Sequence, residues 1–107
     1  MRASKLIGMK IVNPQDQPTG VVDDVIIDPL QGRVAYIIMR VRKTNKFFPI
    51  PMPALTYWEK RGHLMLHVDK MTLQGAPGFT KQDLQALDDR TEGEKIYSYY
   101  GYSPYWE

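Results

Sequence analysis

Residues 4–41 read SKLIGMKIVNPQDQPTGVVDDVIIDPLQGRVAYIIMRV, and no other stretch limits the fold so strongly. Runs rich in Val and Ile are separated by two turn clusters, one from Asn13-Pro14 to Gly20 and one at Asp28-Pro29-Leu30-Gln31-Gly32. Such runs, bounded by Pro, Gly, Asn and Asp, are the signature of strands joined by tight turns. A short strand or strand pair is expected over 6–12, with Gly8 permitting a bend, followed by a strand over 20–28. The polar pair Asp23-Asp24 breaks the alternation of the second strand, which predicts a β-bulge there. Residues 33–42 make the strongest strand. Ala35, Ile37, Met39 and Val41 share one face and Val34, Tyr36, Ile38 and Arg40 the other, so it should be central and covered on both sides.

Downstream, Pro49, Pro51 and Pro53 cannot donate ladder hydrogen bonds, which places residues 46–51 at an edge or a sheet corner. Residues 55–59 and 63–68 flank Lys60-Arg61-Gly62, a hairpin turn with Gly available for positive φ. Six or so short, closely spaced strands predict a small barrel or sandwich, because closure removes exposed edges. Beyond residue 68 the composition shifts. Gly75-Ala76-Pro77-Gly78 is a loop, and Thr80 can cap a helix starting at Lys81 whose stripe is Leu84 and Leu87. Five acids and one base occupy residues 83–94, so the outer face of that helix is solvated. The last stretch concentrates Tyr97, Tyr99, Tyr100, Tyr102, Tyr105 and Trp106.

A chain of 107 residues with net charge +2 is expected to be a single domain with no strong bias toward nucleic acid or anionic membrane. It has no cysteine, which removes disulfides and thiolate metal sites. No apolar run approaches the roughly 20 residues of a membrane-crossing helix, and Leu6-Ile7 is too short for a secretory signal. The expected location is the cytoplasm.

Taken as an ordered set, several segments resemble the PRC-barrel family, named for the cytoplasmic domain of the photosynthetic reaction centre H subunit and found also in ribosome-maturation factors. They are SKLIGMKIVNP, Gly20-x-x-x-Asp24-Val25-Ile26-Ile27-Asp28-Pro29, Gly32-Arg33-Val34-Ala35-Tyr36, Phe48-Pro49-Ile50-Pro51, Ala54-Leu55 and residues 66–79. The tail YSYYGYSPYW is also similar to tails of stand-alone bacterial members. The resemblance implies a mainly β fold: a small, strongly bent barrel of about six strands over residues 1–79. A short α-helical, aromatic-rich extension over 80–107 completes the chain. It implies a docking or assembly role and brings no catalytic residues. Between Val41 and Phe47 the chain is shorter than many relatives, which have a Gly-rich loop there. The resemblance does not extend to the membrane anchor of the H subunit or to the extra domain of the ribosome factors, so neither specialised role is expected.

Candidate chemistry is sparse. His63 and His67 would share a helical face, but in a strand they stand about 13 Å apart, too far to bridge one ion. Asp16, Asp23, Asp24 and Asp28 do not follow calcium-loop spacing. Asp24 and Asp28, with Gly20 and Gly32, are expected to shape the bulge and turn. No nucleophile elbow or phosphate loop is present, so no catalytic, cofactor-binding or metal-binding residue is assigned. Arg40, Arg42, Lys43 and Lys46, followed by Phe47-Phe48, form a basic tip that could track a nucleic-acid backbone or simply be solvated. Phe47 and Phe48 point to opposite sides of a strand, so one of them is expected in the core. The tail aromatics are suited to an interface. Tyr97 and Tyr100, with Ile96, are also spaced to cover an open barrel face, and the sequence leaves both roles open.

The expectation is therefore a non-enzymatic protein-interaction or assembly module, self-associating as a homodimer, with the tail aromatics as its partner-binding residues. The alternative is an RNA- or ribosome-associated factor acting through residues 40–46.

Overall fold

The structure, a computed structural model, describes residues 1–41 and 44–107. A single turn of helix, α1 (Ala3–Leu6), precedes the strands β1 (Lys10–Val12), β2 (Pro18–Asp28), β3 (Arg33–Arg40), β4 (Phe47–Ile50), β5 (Leu55–Trp58) and β6 (His63–Leu66). They form one mixed six-stranded sheet in the order β4-β3-β2-β1-β6-β5. Every neighbouring pair is antiparallel except β1 with β6, which run parallel.

Two bulges shape the central hairpin. Val22 faces Met39 while Asp24 faces Ile38, which leaves Asp23 as the extra residue on β2. Further along, Ile26 faces Tyr36 and Ile27 faces Val34, which leaves Ala35 as the extra residue on β3. Each bulge bends its strand and increases the local twist, so the sheet can curl round its own apolar face. Gly20 sits where curled strands come closest: a Cβ there would lie 2.7 Å from the Arg40 carbonyl oxygen and 2.7 Å from Met39 Cγ. The interior is built on β3, with Tyr36, Ile37, Ile38 and Met39 all essentially inaccessible. Ile11, Val22, Ile50 and Leu66 join them, and among the described residues no charged side chain is buried.

The mainly β, six-stranded architecture agrees with expectation, but backbone pairing does not close the sheet. Its two ends are β4 and β5, joined through Pro51 and the 3₁₀ turn Met52–Ala54. Pro49 and Pro51 lack the N–H groups that a continuing ladder would need. Instead, Phe47 exchanges both backbone hydrogen bonds with Phe79, at 2.9 and 2.8 Å. That crossing covers β4, and so both Phe47 and Phe48 are buried, not one of the pair.

Three local expectations are corrected. The strand expected over 6–12 begins only at Lys10; residues before it make α1, and the chain reverses at Gly8, whose φ is +90°. A short helix, α2 (Lys70–Gln74), was not expected and is capped by Asp69, whose Oδ1 accepts from the Thr72 N–H at 2.6 Å. The helix expected from Lys81 is divided into a 3₁₀ segment, Gln82–Asp88, and α3 (Arg90–Tyr99). Asp89 causes the break: it is extended, and its carboxylate accepts from the Thr91 N–H at 2.9 Å, starting a new helix.

Candidate functional site

The tail gathers the densest set of organised side chains. Gly93, Ile96, Tyr97 and Tyr100 fall on one face of α3, and all four are buried against the sheet. Helical spacing dictates this, since positions three and four apart stack on one side. The helix then ends in a Schellman arrangement. Gly101, at φ +83°, donates to Ser98 O at 3.0 Å, and Tyr102 donates to Tyr97 O at 3.0 Å. The reversal sends the last residues back along the helix.

Tyr97 becomes the hub. Its ring centroid is 5.6 Å from Tyr36, 5.7 Å from Tyr105 and 6.2 Å from Trp106. Its hydroxyl donates at 2.7 Å to the carbonyl of Ala35, the extra residue at the β3 bulge. Burial pushes the Tyr97 hydroxyl up to about 12, and burial likewise raises Tyr36 and Tyr100. Among the described residues the Tyr100 hydroxyl has no hydrogen-bond partner.

The chain end is fastened to the β2–β3 hairpin. The Tyr105 hydroxyl donates to Asp28 Oδ2, and Arg33 Nη1 donates to the Tyr105 carbonyl at 2.9 Å. Asp28 Oδ1 meanwhile accepts from the N–H groups of Leu30 and Gln31, at 3.0 and 3.2 Å. The Tyr105 hydroxyl, helped by those amides and by nearby Arg90, holds the Asp28 carboxyl below its usual range. Desolvation and the Asp28 charge raise the Tyr105 hydroxyl in turn. Arg90 lies 5.4 Å above the Trp106 ring. Tyr99, still 38% exposed, donates to the Thr72 carbonyl on α2.

All six tail aromatics are thus gathered along α3 and the chain end, with Tyr97 and Tyr100 buried and Tyr102, Tyr105 and Trp106 half-buried. The basic tip is less organised. Arg40 pairs with Asp23 at 3.5 Å, Lys46 is exposed, and Arg42 and Lys43 lie outside the described residues. With Phe47 and Phe48 buried, neither offers a face for stacking a base. Asp24 Oδ1 accepts from the Val25 N–H at 2.8 Å beside the bulge, and Gly32 has φ +64° in the turn. His67 Nε2 is hydrogen-bonded to Thr56 Oγ1 at 2.6 Å. Among the described residues no group of three or more His, Asp or Glu converges on a point where a metal could sit.

Sequence reasoning missed two features at this end of the molecule. Asp28 serves the tail as well as its own turn, a pairing between positions 77 apart that no local pattern announces. Leu30 and Ile27 are 91% and 60% exposed, and with Pro29, Tyr105 and Trp106 they border a hollow of about 240 Å³. A leucine at the tip of a polar turn was the available signal.

A curled, bulged β-sheet with an apolar interior, whose organised polar groups fasten one segment to another, defines a small structural module. A family model for the PRC-barrel domain matches residues 1–74, and the chain belongs to that family. PRC-barrel domains are generally non-catalytic and often mediate protein interactions. No curated protein matches the chain. No helix among the described residues is long and apolar enough to cross a membrane.

Proposed function

We propose that this protein is a non-enzymatic assembly module that pairs with a second copy of itself. The barrel over 1–79 is the body, and residues 80–107 are an extension that covers it and supplies part of the contact face. One observation carries this: Leu30 projects, 91% exposed, from the rim of a hollow bordered by Ile27, Tyr105 and Trp106. A projecting apolar side chain beside a recess is self-complementary, and two-fold pairing lets each copy fill the recess of the other. The tail aromatics then act from within a folded face, not as a free arm.

The test is sedimentation equilibrium over a range of concentrations. The wild-type chain should show a reversible dimer. Leu30→Asp and Ile27→Asp should each shift it to monomer with little change in the thermal melt, because both side chains face solvent. A wild-type chain that stays monomeric throughout, or variants that dimerise undiminished, would remove the proposal.

A further inference from the structure

At the opposite edge of the hairpin sits a second recess, a cleft of about 610 Å³. This lies within the size range of small-molecule sites. Its floor is apolar: Phe48 from β4, Leu66 from β6, Val68 just beyond it, and Leu73 from α2. Three separate pieces of chain wall it in, namely the β1–β2 turn at Asn13 and Gln17, the β3–β4 connection at Thr44 and Lys46, and the start of α2.

The polar rim is lopsided. Its acceptors are largely occupied from within: Asn13 Oδ1 accepts from the N–H groups of Gln15 and Gln17, and Gln17 Oε1 accepts from Asn13 Nδ2 at 2.8 Å. Thr44 Oγ1 accepts from the Lys46 N–H at 3.2 Å, and Asp69 Oδ1 accepts from the Thr72 N–H. Three donors are also used within the rim, Asn13 Nδ2 and Thr19 Oγ1 on Gln17 and Thr44 Oγ1 on Val41, which leaves the cations as the contrast. The Lys46 and Lys70 ammonium groups and the Gln17 amide nitrogen make no hydrogen bond or ion pair among the described residues. The Thr72 amide keeps the Asp69 carboxyl below its usual range, so it offsets one of the two lysines and leaves the rim, among the described residues, with one net positive charge.

From this pairing of an apolar floor with a donor-rich, cationic rim we infer a binding site for a small amphipathic organic anion. Its acidic head would meet Lys46 and Lys70, and its hydrocarbon tail would lie on the half-buried Val68 and Leu73. The site shares no lining residue with the self-association face, so either can fail without the other.

Three probes of equal chain length isolate the two halves: octanoate, 1-octanol and octylammonium, titrated below their aggregation limits while backbone amide shifts are recorded. Octanoate should saturate with shifts confined to residues 13–19, 44–48 and 66–74, at a dissociation constant on the order of a millimolar. It should bind about fivefold tighter than octanol, with octylammonium weakest. The Lys46→Gln/Lys70→Gln double variant should bring octanoate down to the octanol value while octanol itself is unaffected. Equal binding of octanoate and octanol to the wild-type chain would overturn the anion site. So would shifts that fail to saturate, or that centre away from the cleft.

Discussion

The hydroxyl of Tyr97 shows how much a single atom can matter to this fold. The bulge at Ala35 lifts one β3 carbonyl out of register, and Tyr97, from a position 62 residues later, supplies the donor. Tyr97→Phe keeps the ring and leaves that buried carbonyl without its donor, so it should cost about 1–3 kcal/mol. Circular-dichroism melts of the pure protein would read this as a fall in Tm, and an unchanged Tm would show that the bond contributes nothing. Two glycines make a second pair of cases. A Cβ at Gly93 would lie 2.7 Å from the Tyr36 hydroxyl and 2.8 Å from the Trp106 ring, whereas at Gly20 it would meet the Arg40 backbone oxygen. The Trp106 ring is near the chain end and can yield, and alanine gains roughly 1 kcal/mol over glycine inside a helix. A strand backbone cannot yield so cheaply. Gly20→Ala should therefore lower Tm more than Gly93→Ala. Only Gly93→Ala should also red-shift tryptophan emission by displacing Trp106.

Among the elements, α3 contributes to the core from outside the sheet. It lays Ile96, 0% exposed, and Tyr97, 1% exposed, over the sheet, and burying Ile96 alone is worth about 1.5–3 kcal/mol. A domain of this size has only about 5–15 kcal/mol of net stability. Deleting residues 94–107 should leave a chain with no cooperative melt, whereas deleting 103–107 should lower Tm yet preserve a folded state. A sharp, wild-type-like melt from the longer deletion would show that the barrel stands without its cover. The helical spacing of Ile96, Tyr97 and Tyr100 was legible in the sequence, but that spacing leaves open whether the face packs on the chain's own sheet. The β2–β3 hairpin and its first bulge were legible too, since Asp23-Asp24 interrupts a run of Val and Ile. Helices of four and five residues, such as α1 and α2, span little more than one turn, too few for an apolar pattern to repeat. The double burial of Phe47 and Phe48 depends on Phe79 crossing the edge, a contact 32 positions away that strand alternation cannot register. The β1–β6 parallel pairing and the Asp28–Tyr105 bond are hidden for the same reason.

At the scale of the whole molecule, the interior has no buried charge among the described residues, but it encloses phenolic hydroxyls, and that sets its response to alkali. Tyr36, Tyr97 and Tyr100 all have their ionisation raised by burial. A raised value means that the folded state holds the proton more tightly than the unfolded chain. Below about pH 10 both states are protonated and the full stability is present. Above it the unfolded chain loses protons first, so the folding constant falls by at most about tenfold per pH unit for each such tyrosine. Denaturant midpoints should hence be flat toward neutrality and drop steeply above about pH 10, with the buried tyrosines' share of the phenolate absorbance rising in step with unfolding and not ahead of it. Tyr100 separates this cause from general charge repulsion, because among the described residues its hydroxyl has no partner to lose. Tyr100→Phe should leave Tm at neutral pH unchanged or slightly higher, the opposite of Tyr97→Phe, and should make the alkaline decline shallower by one proton. If the slope is the same with and without the Tyr100 hydroxyl, the decline comes from the surface and not from the tyrosines under the tail.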